Sequence, residues 1–348
     1  MPSKMQYVRL GNSGLKISKI ILGCMSYGSK DWQGWVLPEE EAIKHIKFAY
    51  EHGITTFDTA DMYSNGLSEI ILGKAIKQLD LPRDEIVIMT KLWSPIYKDQ
   101  KIKQMGPSEE FGVINQKGLS RKHIFDGVKA ALERLQTDHI DLLQCHRFDR
   151  STPIEETMQA LHDVVKAGWV RYIGMSSCYA YEYSNILESP VHAMQNYAIT
   201  NKLTPFISMQ NHYSLLYREE EREMMPTLKM FGVGAIPWSP LARGLLTHPF
   251  DEKTARTTED SFMALYNRVS FGAEIVGRVE ELAKRKGISM AQVGMAWILS
   301  RPGVSAPIVG TTKLSNLEDI LGSLDVELTE EETKYLEEPY RPLPVLGH

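Results

Sequence analysis

The chain has 348 residues, of which 43% are hydrophobic and 24% are charged, the composition of a globular protein long enough to bury a large core. Its net charge of −5 argues against binding to nucleic acid or to a membrane surface. No run approaches the ~18 apolar residues of a transmembrane helix, and the N-terminus lacks an apolar secretion segment. The three cysteines, Cys24, Cys145 and Cys178, fit neither a disulfide framework nor a zinc motif. We therefore expect a cytoplasmic protein with reduced thiols.

A small antiparallel hairpin is predicted near the N-terminus. Residues 7–17 alternate between polar and apolar side chains on either side of the turn sequence Gly11-Asn-Ser-Gly14. Because this segment precedes the first strand of the main pattern, we expect it to close the bottom of the sheet.

Beyond the hairpin, short apolar runs alternate with amphipathic stretches. The runs that read as buried strands are residues 20–24, 54–58, 86–91, 140–146, 170–176, 206–210, 233–238 and 305–310. Helix-like stretches between them include residues 38–52, 68–78, 120–135 and 153–167. Gly53 and Gly168 end two of these helices. The alternation predicts a (β/α)8 TIM barrel, with residues 1–348 forming a single domain.

Three irregular segments interrupt this pattern: residues 94–119, residues 240–272 and the tail after Asp325. The first two follow strand ends. Long loops in that position are commonly lids or binding loops, so we expect both on the C-terminal face of the barrel.

Four polar residues, Asp58, Tyr63, Lys91 and His146, lie at or just beyond the ends of predicted strands. An α/β barrel carries its chemistry at this edge. Each residue alone has an ordinary structural explanation, as a cap, a half-buried aromatic, a strand-end cation or a hydrogen-bonded histidine. Structural roles alone do not readily explain why all four lie at neighbouring strand ends, so we expect an active site there.

These side chains suggest protonation of a carbonyl oxygen. A tyrosine with a free pKa of ~10 exchanges protons poorly at neutral pH unless a nearby cation stabilises its anion, and Lys91 can supply that charge. Lys91 itself would need a carboxylate to stay charged inside a barrel, which gives Asp58 a role. His146 would then donate to, or orient, the carbonyl oxygen.

Several segments resemble the aldo-keto reductase superfamily, and the likeness covers nearly the whole chain. They are Phe57-Asp-Thr-Ala-Asp-Met-Tyr-Ser-Asn-Gly66, Thr90-Lys91, Leu-Leu-Gln-Cys-His146, Ile173-Gly-Met-Ser-Ser177 and Pro237-Trp-Ser-Pro-Leu-Ala-Arg-Gly244. The likeness is greatest to microbial, especially fungal, aldehyde and aryl-alcohol reductases. It implies reduction of aldehydes or ketones with NADPH, in agreement with the absence of a G-x-G-x-x-G or Walker-type run. It also implies that Tyr63 is the proton donor, supported by Lys91 and Asp58, and that His146 orients the substrate.

The resemblance further implies a cofactor site. Ser176, Ser177 and Gln210 would hold the nicotinamide carboxamide, and Trp238 would stack on its ring. The remaining implied contacts lie after the last two strands, at Ser239, Leu241, Arg243, Gly244, Arg256, Gly310, Thr312, Lys313, Asn316 and Asp319. Residues 308–320 end a strand and open a helix, whose backbone N–H groups suit a phosphate.

The expected 2′-phosphate site departs from the family pattern. Gly310 stands where some members have lysine, Asn316 where many have arginine or glutamine, and Ile320 where many have asparagine. The sequence therefore supports use of NADPH or NADH more firmly than a preference for NADPH. Lys313 and two arginines, Arg243 and Arg256, are candidate replacements.

Aromatic residues near the strand ends predict an apolar substrate mouth. Trp32, Trp93 and Tyr97 are the candidates, and they favour aromatic or medium-length aliphatic carbonyl compounds. Core packing would explain any one of them equally well.

Two other functions remain open. One is a non-enzymatic, NADPH-binding regulatory subunit on the same fold, although the complete set of four polar residues favours an enzyme. The other is a metal-dependent barrel enzyme. The strand ends lack the cluster of carboxylates and histidines that would bind the metal ion, which argues against this function.

Overall fold

The computed structural model of the chain describes residues 5–99, 101–102, 111–183, 194–252, 266 and 270–347. Arg256, one of the expected cofactor contacts, lies outside these residues, as do parts of the two predicted loops. Over the described ranges, no helix is both long and apolar enough to cross a membrane. Cys24, Cys145 and Cys178 are all buried, and none of them forms a disulfide within the described ranges.

The strands form a hairpin and a parallel sheet. The hairpin pairs β1 (Tyr7–Arg9) with β2 (Lys16–Ser18) in antiparallel fashion. The sheet contains β3 (Ile21–Gly23), β4 (Thr56–Asp58), β5 (Val87–Leu92), β6 (Ile140–Cys145), β7 (Val170–Ser176), β8 (Phe206–Gln210), β9 (Gly234–Ala235) and β10 (Ile308–Val309). Their order is β10-β3-β4-β5-β6-β7-β8-β9. Parallel bridges from Ala235 to Val304 and from Trp238 to Ile308 join the two edges. The predicted (β/α)8 barrel is therefore confirmed.

Helices follow the strands around the barrel. They are α1 (Glu39–Glu51), α2 (Leu67–Gln78), α3 (Arg121–Leu135), α4 (Ile154–Lys166), α5 (Ala180–Tyr183), α6 (Met194–Thr200), α7 (Met224–Phe231), α8 (Gly272–Lys286), α9 (Met290–Leu299), α10 (Leu314–Leu321) and α11 (Glu330–Glu337). Ser120 caps α3 by accepting a hydrogen bond from the His123 N–H group, as its position before the helix predicts. Gly53 and Gly168 adopt left-handed φ values of 83° and 79° just beyond α1 and α4. The local sequence thus sets where these helices begin and end.

The last two strands are shorter than predicted. The runs 233–238 and 305–310 contain regular strand only at Gly234–Ala235 and Ile308–Val309. Pro237 and Pro307 lie in these runs, and proline has no N–H group to donate to a sheet ladder. Their carbonyl groups still accept hydrogen bonds, from the Ile308 and Ile21 N–H groups respectively. The barrel closes through these bonds despite the interrupted strands.

The hairpin closes the amino-terminal end of the barrel. Leu10 and Ile17 are fully buried against interior side chains of the sheet, including Met89 and Ile236. A Cβ atom on Gly11 would lie 2.5 Å from the Gly232 carbonyl oxygen, so this close approach requires glycine. The opposite, carboxyl-terminal rim is left for function.

Candidate active site

The four predicted catalytic residues meet at the carboxyl-terminal rim. The Lys91 Nζ atom lies 2.6 Å from Asp58 Oδ2, 2.9 Å from the Thr59 carbonyl oxygen and 3.4 Å from the Tyr63 hydroxyl. The rings of Tyr63 and His146 meet edge to face, with their centroids 5.8 Å apart. Asp58 ends β4 and Lys91 lies in β5, whereas Tyr63 is on the turn after β4 and His146 follows β6. Adjacent parallel strands therefore bring the group together.

Two buried amides hold the Asp58 carboxylate from the side opposite Lys91. Gln144 Nε2 and Gln210 Nε2 each donate to Asp58 Oδ1 over 3.0 Å, and Gln210 also donates to Gln144 Oε1 over 2.8 Å. The three side chains come from β4, β6 and β8, and alternate strands of such a barrel contribute to one interior layer. Sequence reasoning missed Gln144. The available signal was its polarity inside an apolar strand, two residues before His146 and hence on the same face.

The charges in this cluster support one another. Burial disfavours the charged form of Lys91, but the Asp58 carboxylate and the Tyr63 hydroxyl group outweigh burial, and the pKa of Lys91 rises. For Tyr63, burial raises the pKa, and the opposing effect of Lys91 offsets only part of the increase. We expected Lys91 to favour the tyrosine anion, and it acts in that direction, but burial is stronger. The Tyr63 hydroxyl therefore carries a proton at neutral pH.

His146 is a neutral imidazole in the same site. Burial lowers its pKa well below the usual value, and the positive charges of Arg147 and Lys91 add to this effect. Its Nδ1 atom is buried and has no hydrogen-bond partner among the residues that the structure describes. A buried polar atom without a partner is costly, so this nitrogen is suited to a bound group.

The residues expected around the nicotinamide lie side by side at the ends of β7, β8 and β9. The Ser176 hydroxyl donates to the Gln210 carbonyl oxygen over 2.7 Å. Ser177 has a left-handed φ of 46°, and its N–H group donates to Asn211 Oδ1 over 2.8 Å. Trp238 Nε1 donates to the Ser177 hydroxyl over 3.1 Å. Asn211, which the sequence did not single out, fixes the Ser177 backbone.

Trp238 forms part of an aromatic stack. The His212 ring lies 4.3 Å from the Trp238 ring with an interplanar angle of 12°, and the Tyr217 ring lies 4.4 Å from His212 at 9°. Both residues follow β8 along the chain, but nothing in their spacing predicts contact with Trp238. The stack gives the indole a fixed orientation.

The turn after β9 has a strained backbone. Positive φ values occur at three residues that are not glycine: Ser239 at 53°, Ala242 at 48° and Arg243 at 57°. Such strain concentrates at ligand clamps and active sites. Leu241 and Arg243 are buried, and Gly244 also has a positive φ, of 106°. This turn contains four of the expected cofactor residues.

The second expected cofactor segment leads into α10. No side chain caps the N-terminus of this helix, where Lys313 precedes the first turn. Lys313 and Asn316 are exposed, and Thr312 is half-buried. A Cβ atom on Gly310 would lie 3.1 Å from Ser26 Oγ, so a larger residue would be crowded there. The segment has the geometry of an anion site, and its role stays a prediction.

Two residues of α10 have structural partners. The Asp319 carboxylate accepts from the Ser289 hydroxyl over 2.6 Å and from Gln292 Nε2 over 2.8 Å. Ile320 is buried in the main hydrophobic core. These contacts fix α10 against α9. A cofactor contact of Asp319 stays a prediction.

The three aromatic residues expected at the substrate mouth differ in position. Trp32 is 6% exposed, and its ring lies 6.4 Å from the Tyr63 ring. Trp93 is half-buried beyond β5, with the Lys117 ammonium group 4.7 Å from its ring centroid. Tyr97 is buried with its ring against Phe111 at 5.3 Å. The structure thus brings Trp32 to Tyr63, and the substrate role of all three stays a prediction.

A closed (β/α)8 barrel with this group of side chains at its carboxyl-terminal rim defines a TIM-barrel protein of the aldo-keto reductase type. The model of the Aldo/keto reductase family matches residues 19–341, and the chain belongs to this family. Its members are oxidoreductases that act on aldehydes and ketones. Within the described ranges, no group of three or more histidine, cysteine, aspartate or glutamate residues is arranged to hold a metal ion.

Fungal relatives are similar over nearly their whole length. The chain is 49% identical to versiconal hemiacetal acetate reductase of Aspergillus parasiticus, over 97% of this chain and 98% of that protein. It is 50% identical to a Schizosaccharomyces pombe protein provisionally named an aryl-alcohol dehydrogenase, over 98% and 97% of the two chains. It is 44% identical to the aldo-keto reductase AFTS1 of Alternaria alternata, over 99% and 94%. The predicted likeness to fungal aryl-alcohol type reductases is confirmed.

Proposed function

We propose that this protein reduces aldehydes or ketones to alcohols with NADPH, and that Tyr63 is the general acid. The observation that carries the proposal is the Lys91 ammonium group, which lies 2.6 Å from Asp58 Oδ2 and 3.4 Å from the Tyr63 hydroxyl. A buried lysine between a carboxylate and a tyrosine stabilises the negative charge that develops when the tyrosine gives up its proton.

The rim has features that fit a dinucleotide. The strained turn at residues 239–244, the uncapped start of α10 and the fixed indole of Trp238 all line the carboxyl-terminal side of the barrel. Bound NADPH would supply a hydride to the carbonyl carbon. Ser176, Ser177 and Gln210 are the residues that would hold its nicotinamide end.

The side chains of this chain divide the remaining work. Tyr63 holds the proton that the carbonyl oxygen receives, because burial keeps its hydroxyl protonated at neutral pH. Lys91 stabilises the resulting tyrosinate, and Asp58 keeps Lys91 charged. His146, a neutral donor edge-on to Tyr63, orients the same oxygen. Trp32 shields this region from water.

The first prediction concerns substrate choice. If Trp32, Trp93 or Tyr97 lines the pocket, apolar carbonyl compounds gain burial energy of ~25 cal/mol per Å² that open-chain sugars do not. Benzaldehyde should therefore show a higher kcat/KM than glucose or xylose. Trp93→Ala should reduce this advantage mostly through KM, because the lost contact acts on the ground and transition states alike. The loss of NADPH absorbance, followed with each member of a panel of aromatic, aliphatic and sugar aldehydes and ketones, gives kcat and KM.

A matched control is Trp169→Ala, which alters a half-buried tryptophan just before β7, at the opposite end of the barrel. It should leave the ranking of substrates unchanged. A preference for sugars, or the same ranking after all three rim aromatics are truncated, would assign specificity to the 240–272 segment or to the C-terminal tail. NADPH binding with no turnover of any carbonyl compound would favour a regulatory subunit instead.

The second prediction concerns the cofactor. NADPH should bind at least ~10-fold more tightly than NADH, which corresponds to roughly 1.4 kcal/mol and is within reach of one or two charged phosphate contacts. Titration of tryptophan fluorescence with each dinucleotide gives the two dissociation constants. Lys313→Ala, Arg243→Ala and Arg256→Ala should identify the cation responsible by selectively weakening NADPH binding.

Lys284→Ala is the control for these variants, because Lys284 is an exposed cation on α8 that pairs with Glu280 on the same helix. It should change neither constant. Equal affinities of the wild type for NADPH and NADH would show that the departures at Gly310 and Asn316 mark the loss of the phosphate site.

A further inference from the structure

Arg147 is a cation at the active site that the mechanism above does not use. It follows His146 directly, is half-buried, and donates from Nη1 to the His146 carbonyl oxygen over 2.6 Å. Within the part of the chain that the structure describes, no carboxylate forms an ion pair with it. Other part-buried arginines do have such partners, for example Arg134 with Glu69 and Arg301 with Glu337.

The Arg147 guanidinium lies within electrostatic reach of the reacting groups. Its charge lowers the pKa of the His146 imidazole, and it opposes the rise in the pKa of Tyr63. Arg147 directly follows His146 beyond the end of β6 and donates to its carbonyl oxygen, so the residue lies on the same rim as the proton donor.

This placement is costly unless something else binds there. A guanidinium has five N–H donors, and the described residues supply Arg147 with one acceptor, the His146 carbonyl oxygen. Burial of a cation without a carboxylate is unfavourable. The planar fork of arginine matches a carboxylate, to which it can donate two parallel hydrogen bonds.

We propose that Arg147 binds a carboxylate group of the substrate, so that the preferred carbonyl compounds are aldehydes or ketones that also carry a carboxylate. This inference rests on the proposed reductase function and specifies its substrate class. With Trp32 beside Tyr63, an aromatic aldehyde with a ring carboxylate fits both features, because the ring packs on the apolar wall and the carboxylate meets the guanidinium.

The test compares each acid with its own methyl ester. The substrates are the 2-, 3- and 4-carboxybenzaldehydes and the corresponding methyl formylbenzoates, with saturating NADPH. We expect at least one acid to exceed its ester in kcat/KM by ~10-fold or more, the scale of a charge-assisted hydrogen bond. Arg147→Met should bring this acid-to-ester ratio of kcat/KM close to one. Arg147→Lys should retain part of it, because the charge remains and the fork is lost.

Arg171→Met is the matched control. Arg171 is exposed at the amino-terminal end of β7 and also donates from Nη1 to a backbone carbonyl oxygen, that of Gly168. Its substitution should leave the acid-to-ester ratio as in the wild type. High salt should lower the wild-type ratio, since it screens a partly exposed charge pair.

Three outcomes would overturn the inference. The first is a wild-type acid-to-ester ratio of kcat/KM near one for all three isomers. The second is a ratio that stays unchanged in Arg147→Met. The third is an equal fall in kcat/KM for acid and ester in Arg147→Met, which would show that Arg147 only holds the loop that carries His146. If no carbonyl compound is reduced at all, the proposed function fails separately. Fluorescence titration with 3-carboxybenzaldehyde still tests Arg147 in that case, because weaker binding to Arg147→Met than to the wild type requires no turnover.

Discussion

Replacement of Tyr63 by phenylalanine should lower kcat for carbonyl reduction by at least ~100-fold, the scale of a positioned general acid. The substitution removes the hydroxyl that lies 3.4 Å from Lys91 Nζ and keeps the ring that packs against His146 and Trp32. NADPH affinity should therefore change little. Steady-state kinetics with benzaldehyde and fluorescence titration with NADPH measure the two effects separately.

Tyr172→Phe is the matched control for this variant. Tyr172 is a partly buried tyrosine on β7 that packs against the interior cluster of the barrel that includes Leu10 and Ile17. Its loss of a hydroxyl should leave kcat unchanged. Near-normal turnover by Tyr63→Phe would refute the assignment of Tyr63 as proton donor, whatever the control shows.

Lys91→Met should lower both activity and stability. Lys91 is 1% exposed and Asp58 is 2% exposed, so the substitution leaves a buried carboxylate without its cation. Loss of one partner from a buried ion pair costs about 3–5 kcal/mol in unfolding free energy. We expect the lower end of that range, because Gln144 and Gln210 still donate to Asp58. Activity should fall as well, since tyrosinate formation at Tyr63 loses its stabilising charge. Urea unfolding and benzaldehyde turnover give the two measurements.

The double variant Asp58→Asn/Lys91→Met separates the two effects. It removes the uncompensated charge, so part of the unfolding free energy should return while turnover stays low. An unchanged unfolding midpoint in Lys91→Met would contradict the account of a tightly coupled buried pair. Recovery of turnover in the double variant would contradict the role of Lys91 beside Tyr63.

Much of the barrel is predictable because its elements carry local signals. Apolar strands alternate with capped helices, and glycines with positive φ end α1 and α4 close to where the sequence predicts. The four catalytic candidates could also be named, since each lies at or near a strand end. Local pattern does not reveal that two prolines interrupt the final strands while their carbonyl groups still close the barrel.

The contacts around these four residues were less predictable for a geometric reason. Gln144 touches Asp58 only because closure of the barrel places β4, β6 and β8 side chains in one layer, across 86 residues of sequence. His212 stacks on Trp238 through a similar long-range approach. Residue type and spacing identify polar positions, but which polar group meets which depends on the register of strands far apart in the chain.

The most direct test of the central claim is to follow the transferred hydrogen. Wild-type protein is incubated with benzaldehyde and NADPH that carries deuterium at nicotinamide C4, and the alcohol is analysed by mass spectrometry. We predict benzyl alcohol with deuterium on the carbinol carbon, with one equivalent of NADPH oxidised per alcohol formed. Labelled NADPH that binds the protein and stays unoxidised across the whole panel of aldehydes and ketones would contradict this prediction.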